Sequence, residues 1–180
     1  MWDCSINIGD NPMDTPSIYV ACLASYNNAI LHGVWIDATQ SEDDIMDEIW
    51  TMLDSSPESN AEEYAIHDYE GFGNIQIHEY ESIYNIVEYA SFIQEYGELG
   101  LALLCDYSVD DAQTMLEDYY QGCYDSEVDF ARQLFDDCYA HQMPDSLICY
   151  FDFEAFTRDL FISDYCSIQY NGDTHIFINY

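Results

Sequence analysis

Between Glu62 and Phe72 the chain reads E-E-Y-A-I-H-D-Y-E-G-F, four carboxylates among aromatics with His67 as the sole potential counter-charge. Such carboxylates could serve as acid–base pairs, as ligands to a cation, or as an unneutralised array facing a basic partner. Acid–base pairs cannot be singled out where 36 of 180 residues are acidic, because any two carboxylates then fall near one another. D-Y-S-V-D-D-A-Q-T-M-L-E places Asp106, Ser108, Asp110 and Glu117 at ligand positions of a calcium loop. Asp111 stands where the sharp turn of such a loop needs glycine, and a helix N-cap accounts for the same residues. His67-Asp68 and His78-Glu79 offer ligand types for zinc, but H-E-Y-E-S lacks the second histidine of H-E-x-x-H, so half-buried strand histidines are expected instead. Phosphate-binding glycine loops, a G-x-S-x-G nucleophile and a basic patch are all missing from the sequence, so neither catalysis nor a cofactor is expected.

What remains is the charge itself. Two arginines, no lysine and 36 acids give a formal net charge of −34. Held within a sphere of about 20 Å radius, such a charge costs on the order of tens of kcal/mol even after screening, against a usual net stability of about 5–15 kcal/mol. An elongated body of small subdomains lowers that cost. The same charge excludes nucleic acid and anionic membranes as partners and selects a strongly basic one. Nevertheless 49% of residues are apolar and 16% aromatic, enough to build a core. The longest dense apolar run, L-G-L-A-L-L-C at 99–105, is too short to cross a bilayer, and the N-terminus lacks the basic region of a signal peptide, which together point to the cytoplasm. Seven scattered cysteines without C-x-x-C are expected to be reduced, mostly buried thiols.

The elements that must carry the acids follow from periodicity and turn chemistry. Residues 1–16, with two X-Pro steps, are expected to form a loose leader. S-I-Y-V-A-C-L and A-I-L-H-G-V-W-I flank S-Y-N-N as two strands and a turn, and Ser41 caps a helix with Ile45, Ile49 and Met52 on one face. Y-A-I-H-D-Y and N-I-Q-I-H alternate as strands, and Ser82 opens a helix with Ile83, Ile86, Val87, Ala90 and Ile93 inward. A short helix over 98–105, one capped by S-V-D-D, and one begun by S-E-V-D and stopped by Pro144 come next, with short helical turns expected through Phe156. A hairpin around Asn171-Gly172 closes the chain. The expectation is an α+β chain: leader, an N-terminal subdomain over 17–81 (antiparallel sheet with helix), a central helical subdomain over 82–119, and a C-terminal subdomain over 120–180 of helices with an antiparallel hairpin.

On these elements the acids fall in rows. Asp43, Asp47 and Asp54 lie opposite the apolar face of the first long helix, with steps of about 6 and 10 Å at 1.5 Å per residue. Glu81, Glu88 and Glu95 recur every seven residues, and Asp110, Asp111, Glu117 and Asp118 share one side of the next helix. Glu62, Glu63, Asp68 and Glu70 complete the array. Helices normally offset such rows with cations four residues on. The two arginines are expected to pair locally, Arg132 with Asp129 or Asp136 and Arg158 with Glu154. Since duplex DNA carries one charge per about 1.7 Å, the net charge equals about 58 Å of duplex, so such a surface could occupy a DNA-binding groove. A solvated acidic surface in a salt-adapted protein, or a calcium module, are the alternatives.

S-I-Y-V-A-C-L-A-S-Y-N-N-A-I-L-H-G-V-W-I-D-A, then E-E-Y-A-I-H-D-Y-E-G-F, then Y-F-D-F-E-A-F-T-R-D-L occur in this order, and through them the sequence resembles the ArdA antirestriction proteins from about Ser17 to Tyr180. The resemblance implies a non-enzymatic, elongated homodimer of three-subdomain chains, a DNA mimic that binds the methyltransferase core of type I restriction-modification enzymes. It also implies carriage by mobile genetic elements. The segment from about Ala140 to Phe153 would hold the dimer contact, with Met143, Pro144, Leu147, Tyr150 and Phe151.

Overall fold

A computed structural model describes residues 15–170 and 172–179. Of the expected leader, residues 1–14 lie outside the described part. Pro16 does not belong to a leader: it is buried, and its carbonyl accepts from the Ala38 amide at 2.8 Å. The described residues form two compact units, one through Val109 and one from Asp110.

In the first unit, β1 (Ser17–Cys22) lies between β2 (Gly33–Asp37) and β3 (Tyr64–Glu70), antiparallel to both. β1 and β2 are not joined by a tight turn. L-A-S-Y-N forms a helical turn, α1 (Leu23–Asn27), and Ala29 takes φ 59°, so the chain reaches β2 only after Ile30 and Leu31 have passed through solvent. α2 (Glu42–Asp54) starts where Ser41 Oγ accepts from the Asp44 amide at 3.2 Å and donates to the Asp44 carboxylate at 2.6 Å. Its Ile45, Ile49, Met52 and Leu53 are buried against the sheet face carrying Ile18, Val20, Ile36 and Ile66.

The stretch N-I-Q-I-H keeps its alternation, with Ile75 and Ile77 buried and Gln76 exposed, yet is not a strand. Among the backbone bonds, the Ile66 amide reaches past it to Glu79 O at 2.9 Å, so its apolar residues plug the core without joining a ladder. α3 (Ile83–Leu104) is two helices end to end, broken where Gly97 takes φ 59° and ψ −138°. The separate helix expected over 98–105 is its second half. Its apolar face (Ile83, Ile86, Ala90, Ile93) completes this core beside α2.

The second unit opens within α4 (Val109–Thr114), which loosens into a π-helical turn over Met115–Tyr119 and passes directly into β4 (Tyr120–Tyr124). β4 has no counterpart in the expectations, because Y-Q-G-C-Y carries a glycine at φ 120° and no aliphatic residue. It pairs with β6 (Asp173–Ile178), the centre of a sheet ordered β4-β6-β5, with β5 spanning Tyr165–Tyr170. The closing hairpin has the expected tight turn: Tyr170 pairs with Asp173 and Gly172 has φ 93°, while Asn171 lies outside the described residues. Over the sheet lie α5 (Glu127–Cys138), capped by Ser126, and α7 (Phe153–Ser163), capped by Asp152. Between them come a 3-10 turn (Ala140–Gln142) and α6 (Asp145–Ile148). Phe130, Ala131, Leu160, Ile176 and Phe177 make the core.

Candidate interaction surface

The acid surface is built from local chemistry that forces carboxylates outward. In α2, Asp43, Asp47 and Asp54 lie within about 40° of one another on the helical wheel, opposite the buried stripe, and all three are exposed. The exposed Trp50 lies in the same row. No basic residue occupies the last turn of α2.

β3 reaches the same result by a different device. Strict alternation in Y-A-I-H-D-Y-E would send Ile66, Asp68 and Glu70 to one face and bury two carboxylates. The register prevents this: Val20 pairs with Ile66 and Tyr19 with Asp68, so His67 is the extra residue of a β-bulge. Beyond the bulge the phase is inverted. Tyr69 turns inward, opposite buried Ile18 and against Phe72, while Asp68 and Glu70 are exposed. Glu62 and Glu63 are exposed just before the strand.

The third row is less regular than its seven-residue spacing suggests. Glu81 precedes the Ser82 cap, is half-buried, and accepts from Asn85 Nδ2 at 2.6 Å. Glu88, also half-buried, accepts from the Tyr84 hydroxyl at 2.6 Å, and Glu95 is exposed. In the second unit, Asp110 and Asp111 occupy the first turn of α4 while Glu117 and Asp118 lie in the π-helical turn, all exposed. Because that turn winds more slowly than an α-helix, the two pairs do not keep the α-helical phase. Helix from Val109 also displaces the irregular loop that calcium ligation by Asp106, Ser108 and Asp110 would require.

Counter-charge is scarce. Arg132 does not pair with Asp129 or Asp136; its guanidinium carbon sits 4.2 Å from the centre of the Phe153 ring. Arg158 bonds Asp159 at 3.3 Å rather than Glu154, with both groups about two-thirds exposed. His67 and His78 are exposed rather than half-buried, and the His67 ring meets Tyr26 edge-on at 4.6 Å. Among the described residues no group of three or more His, Cys, Asp or Glu could hold a metal ion. The tyrosines register the field of the acids. Glu79, with Glu63 adding, holds the Tyr80 phenol above its ordinary value. Burial first, then Glu42, raises Tyr64, and burial first, then Glu81 and Glu88, raises Tyr89.

The chain matches the family model of the antirestriction protein ArdA over residues 18–173. It belongs to the ArdA antirestriction family. No curated protein matches it. Membership makes it one of a family of inhibitor proteins directed against restriction, and none of its described helices is long and apolar enough to cross a membrane.

The residues expected at an ArdA dimer contact divide into two groups. Met143 and Phe151 line a groove of about 350 Å³ with Phe135, Tyr139, Gln142 and Phe156, and the Phe151 ring lies 4.4 Å from that of Phe135. Leu147 (52% exposed) and Tyr150 (83% exposed) face solvent on and beside α6, whose start Pro144 marks. The cysteines depart from expectation, since Cys105, Cys123, Cys138 and Cys149 are exposed, Cys166 is half-buried and Cys22 is buried.

Sequence reasoning missed the exposed aromatics of the first unit. Tyr19 and Trp35 sit side by side at 5.5 Å on the outer sheet face, with Trp35 43% exposed. Their strand alternation alone carried that signal.

Proposed function

We propose that the chain is a DNA mimic that occupies the DNA-binding groove of type I restriction-modification enzymes, at their methyltransferase core, and acts as a homodimer in the cytoplasm. The observation that carries the reading is the outward phase of uncompensated carboxylates: the His67 bulge and the Asp43–Asp47–Asp54 stripe both turn acids to solvent with no lysine or arginine beside them among the described residues. Such a surface satisfies lysine and arginine side chains that otherwise bind phosphates. Leu147 and Tyr150, apolar and poor in neighbouring charge, suit a subunit contact better than contact with a basic groove. The direct experiment is displacement of duplex DNA from a purified type I methyltransferase. The protein is expected to release DNA at stoichiometric amounts at low salt and progressively less as salt rises. An enzyme that keeps its DNA at large excess of the protein refutes the reading.

A further inference from the structure

The side chains on the outer face of the first sheet follow directly from the register. Across the three strands run two rows, Trp35–Tyr19–Asp68 and Asp37–Ser17–Glu70. By strand geometry the rows are about 7 Å apart, and Asp37 and Glu70 flank Ser17 at about 5 Å on either side. A pair of aromatic rings is therefore framed by three exposed carboxylates.

The platform is shaped by glycine. A Cβ on Gly33 would lie 2.5 Å from Val20 O and 2.7 Å from the Tyr19 hydroxyl oxygen, so the missing side chain is what lets the Tyr19 ring lie along the sheet. Tyr19 in turn supports Trp35, which leaves 43% of its surface to solvent. Asp37 is held by the amide and hydroxyl of Thr39 on Oδ1, at 2.9 and 2.7 Å, and Asp68 Oδ1 by the Tyr69 amide at 2.9 Å. Each carboxylate keeps its second oxygen for an incoming donor.

We propose that this face seats an arginine side chain of the basic partner, its guanidinium stacked on Trp35 and bonded to Asp37 or Asp68. The inference rests on the DNA-mimic reading and adds what a row of charges lacks, a ring-dependent preference for arginine over lysine. A guanidinium bonds a carboxylate in a fork that an ammonium cannot form, and its plane also stacks on an indole face. Charge complementarity selects the occupant, since none of the residues in these rows is a cation.

The test uses a blocked octapeptide alternating glycine with arginine and its lysine counterpart, titrated calorimetrically into the full chain and its variants, with the Trp35 indole N–H of the wild-type chain followed by NMR. The charges are equal, and the change in the affinity ratio on removing the Trp35 ring isolates the platform. The arginine peptide is expected to bind about two- to five-fold tighter, matching an exposed cation–π contact. Trp35→Leu should lower the ratio toward one, with a smaller effect on the lysine peptide than on the arginine peptide, and Trp35→Phe, which keeps a ring, should retain part of it. Equal binding to the wild-type chain, or a ratio untouched by Trp35→Leu, overturns the proposal. DNA displacement is measured separately. A chain that displaces DNA with a ratio of one loses the platform alone, and one that prefers arginine through Trp35 without displacing DNA loses only the mimic reading.

Discussion

Asp54 should be a residue the fold would do better without. It is the last residue of α2, against the negative end of the helix, with no cation in that turn. A carboxylate there opposes the macrodipole by about 0.3–1 kcal/mol at low ionic strength. Asp47 follows Asp43 by four residues on the same stripe, a like-charge pair costing a few tenths of a kcal/mol. Asp54→Asn with Asp47→Asn should therefore stabilise the chain by about 0.5–1.5 kcal/mol at low salt, and a gain of 1 kcal/mol raises Tm by about 2–4 °C for a chain of this size. Asp43 predicts a different sign. It lies in the first turn, where the dipole favours a carboxylate, so Asp43→Asn should be neutral or slightly destabilising. Thermal unfolding followed by circular dichroism in about 10 mM and about 300 mM salt measures both, and screening should shrink the differences at the higher salt. DNA displacement by the double variant should weaken modestly, because many carboxylates share the contact. A more stable chain that inhibits less is the signature of charges kept for function. A double variant with a lowered Tm, or one unchanged in both assays, refutes the reasoning.

Deleting His67 removes the bulge yet leaves Ile66 opposite Val20 and Asp68 opposite Tyr19 in unbroken alternation, so Asp68 and Glu70 stay outward; denaturant titration should show the first unit still folded, with a loss within the ordinary range of about 0.5–3 kcal/mol. Gly33→Ala should cost about 1–3 kcal/mol by the same titration, as the new methyl collides with Val20 O and the Tyr19 ring. His175, half-buried and bonded to the Tyr120 hydroxyl at 2.8 Å, has its pKa lowered by burial, with Asp173 opposing. Between that lowered value and the ordinary value of about 6.5 the unfolded chain binds more protons. Its stabilising contribution is thus complete above pH of about 6.5 and is lost as pH falls through the folded value. The stability difference between wild type and His175→Gln should shrink on acidification over that window. Phe151→Ala should destabilise the second unit by about 2–3 kcal/mol, somewhat less than full burial would give, whereas, on the proposed dimer, Leu147→Asp with Tyr150→Asp should shift sedimentation toward monomer while the chain keeps its folded circular dichroism spectrum.

Much of the fold was legible because it rests on local rules. Ser41, Ser82 and Ser126 each cap the helix expected of them, since an N-cap is decided within four residues. The apolar stripes of α2 and α3 and the strands around Tyr19 and Trp35 were equally plain. Less legible was everything that depends on which strand meets which. N-I-Q-I-H has the pattern of a strand but joins no ladder, and Y-Q-G-C-Y lacks the pattern yet pairs along β6. Both arginines lie among carboxylates in sequence, but Arg132 found a ring instead, a choice made by the approach of α7 to α5.

Composition alone determined that the surface would be overwhelmingly anionic, because 36 acids and two arginines leave no arrangement with balanced charge. Local residue order determined that α2, α3 and α5 would begin at their serines. Only tertiary structure decided where the acids point. A strand's alternation has two phases of equal local energy, and one extra residue opposite Tyr19 and Val20 selects the phase that exposes Asp68 and Glu70. The Tyr19–Trp35 platform is of the same kind, since its rings, Gly33 and Asp68 come from three separate strands, and residues distant in sequence acquire a common face only when the sheet assembles.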